Sequence, residues 1–118
     1  MVGEFSLGDT DCALWLNGYG RGARYDGTFG NGPRMGSCEG QNDIKNSTVF
    51  SKQYRQFLRE WFELQTSAYE SGSSEGWFFW NFKTERAPQW NYLMGVEEGW
   101  ITTDFKNRKY TCPAPLQS

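Results

Sequence analysis

The chain is 118 residues long, room for one domain, and its 12 basic and 14 acidic residues give a net charge of −2. That balance offers no electrostatic support for a nucleic-acid or anionic-membrane partner, and no apolar run approaches the roughly 20 residues that span a bilayer. With no His, imidazole metal sites and Ser/His or Cys/His nucleophile pairs are excluded, and three Cys cannot fill a four-thiolate zinc site.

Residues 1–6 read as a short strand bounded by Leu7-Gly8-Asp9, without the basic start and apolar stretch of a secretory signal. Asp9 or Thr10 can N-cap a short helix over 11–17, stopped by Gly18. Residues 18–36 are rich in Gly, hold Pro33 and read as a long loop with Cys12 and Cys38 on either side. Loops of that length are usually functional or disordered. Residues 51–71 make the one strong helix. Its stripe is Tyr54, Phe57, Leu58, Trp61, Leu64, Ala68 and Tyr69, with Ser51 as N-cap and Gly72 as the stop. Gly76-Trp77-Phe78-Phe79-Trp80-Asn81-Phe82 is an almost unbroken apolar run, the pattern of a strand buried on both faces. Lys83-Thr84-Glu85 and Ala87-Pro88 leave it, a weaker helix covers 91–98, and residues 104–118 read as coil.

This β-α-β-α order predicts two parallel strands joined by a crossover helix. Two parallel strands cannot cover both faces of an apolar strand at 77–82. The sequence therefore looks like a piece of a larger sheet.

Six Trp, six Tyr and nine Phe stand in a chain that is only 37 % hydrophobic, which argues against disorder. Aromatics beside polar groups suit carbohydrate, whose C–H faces stack on π-faces while its hydroxyls need polar partners. The plainer reading makes the same rings core residues. Gly18-Tyr19-Gly20-Arg21-Gly22 fails the dinucleotide pattern because Ala23 takes its last position, and no G-x-x-x-x-G-K-S/T occurs, so no cofactor is expected. Asn46-Ser47-Thr48 fits the N-glycosylation sequon. Without His, carboxylates lead the candidates for acid, base or nucleophile. Glu4 is singled out because it stands at a strand end, where the catalytic side chains of a (β/α) barrel project. Its plainer reading is a terminal surface Glu.

The motifs Gly3-Glu4-Phe5-Ser6, Thr10-Asp11-Cys12-Ala13, Trp15-Leu16-Asn17-Gly18, Arg21-Gly22-Ala23-Arg24-Tyr25-Asp26-Gly27 and Gly36-Ser37-Cys38 resemble fungal exo-β-1,3-glucanases of glycoside hydrolase family 5. So do Gly76-Trp77-Phe78-Phe79-Trp80, Lys83-Thr84-Glu85, Ala87-Pro88, Trp90 and Arg108-Lys109-Tyr110. The resemblance runs in order to about Cys112, leaving 113–118 as a coil tail. It implies an α/β fold made of the last two β-α units of a (β/α)8 barrel, incomplete, with the Gly-rich loop after its first strand. A full barrel takes roughly 250 residues.

The resemblance also implies retaining hydrolysis of β-1,3-glucan from chain ends, a secreted or cell-wall location, and roles for particular residues. Glu4 matches the catalytic nucleophile, and Trp80 the platform under the non-reducing-end sugar. Asn17 and Arg21 fall in the loop that borders the outer sugar subsites. Phe5 stands where the family's Gly-Glu-Trp-Ser motif has Trp. A Cys12–Cys38 disulfide is implied, which leaves Cys112 unpaired. The family's acid/base sits in an Asn-Glu-Pro motif, and no Asn-Glu pair occurs in this chain. Half of the retaining mechanism is therefore missing, since it needs two carboxyl groups roughly 5–5.5 Å apart. The chain is expected to be inactive alone, and active only by complementation with the missing barrel part or by self-association. The alternatives are a non-catalytic β-glucan-binding or protein-interaction module and a non-functional truncation.

Overall fold

A computed structural model describes residues 1–41, 50–71 and 75–113. Four elements order them: strand β1 (Val2–Phe5), helix α1 (Lys52–Glu70), strand β2 (Trp77–Phe79) and helix α2 (Tyr92–Glu98), with a 3-10 turn at Pro88–Trp90 before α2. β1 and β2 pair in parallel, with α1 in the connection between them.

The register holds the detail that matters for the site. Val2 pairs with Trp77 and Phe5 with Phe79, so three steps along β1 match two along β2. The irregularity lies at Gly3 and Glu4, a bulge of the kind that re-aims a side chain beside functional sites. Val2 and Phe5 both reach the core, packed with Trp77 and Phe79, while Glu4 stays exposed. Phe5 is the hub of this face. Its ring lies 5.2–6.0 Å from those of Tyr69, Phe79, Trp77 and Phe62. Leu7, Phe50, Leu58, Phe62, Trp100 and Ile101 complete this buried cluster among the described residues.

α1 starts where expected, because the Ser51 hydroxyl accepts from the Tyr54 N–H at 3.0 Å. The expected stop at Gly72 lies outside the described residues; Ser71 caps the helix, its hydroxyl donating to the Ala68 carbonyl at 2.8 Å. The buried face differs from the predicted stripe. Leu58, Phe62, Glu63 and Thr66 are buried, whereas Phe57 is 47 % exposed and Ala68 is exposed. Segment 105–112 lies along the helix and accounts for the shift. Glu63 accepts from the Tyr110 N–H at 2.8 Å and from the Arg59 guanidinium at 2.9 Å. Arg108 donates to Thr66 and to Glu70. A helix gripped on two sides buries polar groups that a one-sided stripe would leave in water.

Two further expectations are corrected. No helix forms over 11–17; the chain makes consecutive turns there, with i to i+3 bonds from Leu16 to Ala13 and from Gly18 to Trp15. Trp15, at φ +64°, breaks any helical path. The apolar run at 77–82 is a strand only as far as Phe79, and it is not buried on both faces. Trp77 and Phe79 face α1, while Phe78 is 63 % and Phe82 65 % exposed. α2 begins at the Asn91 cap, whose side chain accepts from the Met94 N–H, and ends at Gly99 in the left-handed conformation that such a stop requires.

Candidate active site

Glu4 lies at the C-terminal end of β1, and Trp80 follows the last residue of β2. Side chains alternate along β2, so Phe78 and Trp80 point away from the α1 face that holds Trp77 and Phe79. Trp80 follows the last ladder residue, and its N–H donates to the Phe5 carbonyl at 2.8 Å. That bond ties the residue bearing the indole to the residue just after Glu4. Trp80 is 53 % exposed, and Glu4 is exposed. An exposed carboxylate and a half-exposed indole thus stand at the C-terminal ends of adjacent parallel strands.

The loop after β1 is organised around one carboxylate. Asp11 Oδ2 accepts from the Arg24 N–H at 2.7 Å and from the Asn17 amide at 2.8 Å, while Oδ1 accepts from the Tyr25 N–H at 3.0 Å. Burial pushes the Asp11 carboxyl up, but these bonds outweigh it and hold the group below the usual carboxylate range. Asp26 is held low as well, chiefly by the Thr28 hydroxyl that donates to it at 2.5 Å. Both shifts favour the ionised carboxylate over the acid form.

Asn17 is occupied within this loop. Its amide donates to Asp11 and to the Gly22 carbonyl at 3.1 Å, and its oxygen accepts from Arg24 at 2.8 Å. Its contact with the loop backbone is direct; any contact with a sugar would have to be made by the loop it shapes. Arg21 is exposed, with its guanidinium 5.8 Å from the Phe29 ring centre. Cys12 and Cys38 form a disulfide across the loop, and Cys112 is free and exposed, both as expected. The sequon residue Asn46 lies outside the described residues, as do residues 114–118 of the coil tail. Among the described residues no group of three or more Cys, Asp or Glu could hold a metal ion, and no helix is long and apolar enough to cross a membrane.

Among the hollows that border the loop, two are large enough for a sugar ring. One of about 580 Å³ is lined by residues that include Asp9, Asp11, Tyr25 and Phe29. The other, of about 490 Å³, lies between Trp15 and the turn at 81–86 that follows Trp80. Nothing in the sequence marks Trp15 as a wall residue, because an indole at positive φ has no signature in composition or spacing.

No family model matches the chain. Curated relatives do. It is 41 % identical over 110 residues to a glucan 1,3-beta-glucosidase of Schwanniomyces occidentalis, covering 93 % of this chain and 25 % of that protein. Over nearly its whole length it is a relative of the fungal glucan 1,3-beta-glucosidases. Glucan 1,3-beta-glucosidase 2 of Saccharomyces cerevisiae is 41 % identical over 117 residues, covering 93 % of this chain and 20 % of the relative. Glucan 1,3-beta-glucosidase D of Emericella nidulans is 38 % identical over 128 aligned positions, spanning all of this chain and 15 % of that protein. The chain thus spans a quarter or less of these relatives.

Proposed function

We propose that the chain is the C-terminal segment of a family 5 exo-β-1,3-glucanase-like retaining glycoside hydrolase, forming the last two β-α units of a (β/α)8 barrel. The observation that carries this reading is that exposed Glu4 and half-exposed Trp80 stand at the C-terminal ends of two adjacent parallel strands, which the Trp80 N–H ties together through the Phe5 carbonyl. Barrel enzymes draw their catalytic side chains from the C-terminal ends of several strands. The bulge at Gly3 and Glu4 supports it too, since it frees Glu4 from the core face that Val2 and Phe5 occupy.

On this reading the Glu4 carboxylate attacks the anomeric carbon of a non-reducing-end glucosyl unit resting on Trp80. The bond to the leaving oxygen breaks and its electron pair departs with that oxygen, which must take up a proton. Water then hydrolyses the glycosyl ester. On this reading the proton comes from a carboxyl group in the remainder of the barrel, because the family's acid/base sits in an Asn-Glu-Pro motif and no Asn-Glu pair occurs in this chain. β-1,3-Glucan is the substrate class, and the products are glucose and a shortened glucan. A secreted or cell-wall location fits the Cys12–Cys38 disulfide, which persists in an oxidising environment.

The test uses a substrate that needs no acid. Dinitrophenyl β-glucoside carries a leaving group stable as an anion, so it isolates the attack by Glu4. The expected result is slow covalent labelling of Glu4, absent in Glu4→Gln, with negligible hydrolysis of laminarin by the same chain. General acid help is typically worth 10²–10⁴-fold. Efficient laminarin hydrolysis by the isolated chain would refute the division of the two carboxyl roles.

A further inference from the structure

We infer that Asn31 is a site of spontaneous covalent modification. Its side-chain amide is attacked by the backbone nitrogen of Gly32 and ends as an isoaspartyl or aspartyl residue, which sets a new carboxylate on the wall of the hollow of about 580 Å³. The inference stands on the chemistry of the long loop and is independent of the glucan reading.

The sequence holds two Asn-Gly steps, Asn17-Gly18 and Asn31-Gly32. Asn is among the thermolabile residues. A following Gly makes it more so, because no Cβ keeps the Gly nitrogen away from the side-chain carbonyl carbon. In the reaction the Gly32 nitrogen gives its proton to solvent base and bonds to Asn31 Cγ. The bond from Cγ to the side-chain nitrogen breaks, and ammonia leaves with a proton taken from water. One water then opens the five-membered imide at either carbonyl. Solvent supplies every co-reactant, and nothing is oxidised or reduced.

The structure treats the two steps oppositely. Asn17 is half-buried, and its amide donates to Asp11 at 2.8 Å and to the Gly22 carbonyl at 3.1 Å, while its oxygen accepts from Arg24 at 2.8 Å. The Gly18 N–H, the group that would attack, donates to the Trp15 carbonyl at 2.9 Å. Reaction there has to open these four bonds first. Asp26-Gly27, the same step with a carboxyl in place of the amide, is held in the same way. Its Gly27 N–H donates to the Arg24 carbonyl at 3.1 Å, and Asp26 accepts from the Thr28 hydroxyl.

Asn31 and Gly32 carry none of these restraints, and both are exposed. The loop is closed on either side of them, by the Phe29 N–H on the Ala23 carbonyl at 3.1 Å and the Met35 N–H on the Tyr25 carbonyl at 2.9 Å. Between those two bonds, among the described residues, no backbone group of residues 30–34 has a hydrogen-bond partner. A Cβ on Gly32 would meet nothing within 4 Å, so solvent base reaches its nitrogen. Exposed loop tips are where chain chemistry of this kind concentrates. Asn31 lines the hollow together with Asp9, Asp11 and Arg24. An ordinary aspartyl group is ionised at neutral pH, so the modified loop adds one negative charge to a chain whose net charge is −2. The isoaspartyl form also lengthens the backbone of the tip by one methylene.

The test ages the 118-residue chain, with its Cys12–Cys38 bond intact, in mildly alkaline buffer and maps it with trypsin, which separates the two steps by cutting after Arg21, Arg24 and Arg34. Mass reads the conversion of amide to acid, and enzymatic methylation reads the isoaspartyl share. Asn31 is expected to convert first, with isoaspartate exceeding aspartate. Asn17 should lag roughly 10- to 100-fold, the population cost of opening its bonds. In urea with the disulfide reduced, the two rates should converge. Asp11→Asn should speed the reaction at Asn17 and leave Asn31 unchanged. Gly32 has open space and no positive φ, so Gly32→Ala should melt as wild type does while slowing Asn31 several-fold. Asn17 converting as fast as Asn31 in native buffer would overturn the inference. So would an Asn31 that keeps its amide there, or a Gly32→Ala chain that reacts at the wild-type rate.

Discussion

Replacing Asp11 by Asn tests whether one carboxylate organises the long loop. The substitution keeps the shape and removes the charge. It also turns one acceptor into an N–H donor facing a donor: the Arg24 N–H and the Asn17 amide on one side, or the Tyr25 N–H on the other. A hydrogen bond to a charged group contributes about 1.5–3 kcal/mol and an unpaired buried donor costs about 1–3 kcal/mol. The Asp11 side chain is 21 % exposed, so water recovers part of the loss. A local destabilisation of roughly 2 kcal/mol results, equivalent to about 30-fold faster amide exchange. Exchange at the Arg24 and Tyr25 amides, with the Cys12–Cys38 bond intact, reads it directly. The sign with pH follows from the depressed carboxyl. Its stabilisation is complete above the unfolded value, near pH 4, and is lost as pH falls through the lower folded value. The gap between wild type and variant should therefore close towards pH 2. A gap under threefold at pH 7, or one that persists unchanged in acid, would refute the carboxylate's role and leave the disulfide as the loop's main constraint.

Alkylation without reduction should find one reactive thiol, Cys112, and removing the Cys12–Cys38 link, with its sequence separation of 26, should cost about 3.5 kcal/mol in a urea titration. A Cβ on Gly95 would stand 2.5 Å from Ile101 Cδ1 and 2.7 Å from Trp100 Nε1, so Gly95→Ala should destabilise by about 1–3 kcal/mol in a thermal melt. Arg108→Ala removes the donors to Thr66, Glu70 and the Phe105 carbonyl; segment 105–112 should then be cut earlier in limited proteolysis, with α1 still helical by circular dichroism.

What was legible in the sequence was what is decided locally. The Ser51 cap acts three residues ahead, and the helix read over 91–98 begins one residue later, at Tyr92, because Asn91 is its cap rather than its first turn. The turns at 11–17 were not legible as turns, because Asp11 is drawn to amides 13 and 14 residues further on and Cys12 is tied to Cys38. The helix pattern likewise concealed Glu63 and Thr66, whose burial comes from a segment some 40 residues away. Of the site, Glu4 was legible as a strand-end carboxylate, but the parallel register that sets β1 against β2, with its bulge at Gly3 and Glu4, was not. Trp15 was silent, since its exposure and angle arise only once the loop closes.

The open face of the sheet makes a last prediction. Phe78, Trp80 and Phe82 are each more than half exposed on or just beyond a strand of three residues. Contiguous exposed rings beside unpaired strand edges promote association. In the proposed barrel that face is interior and the edges pair with neighbouring strands, which accounts for the apolar character of the 77–82 run. The isolated chain should therefore self-associate at micromolar concentration and bind an apolar dye. Phe78→Ser should reduce both without disturbing Phe79 on the opposite face. A cooperative, dye-negative monomer in light scattering would mean that the rings have repacked into a smaller core. The register between Glu4 and Trp80 would then have to be determined anew before any barrel chemistry was assigned to it.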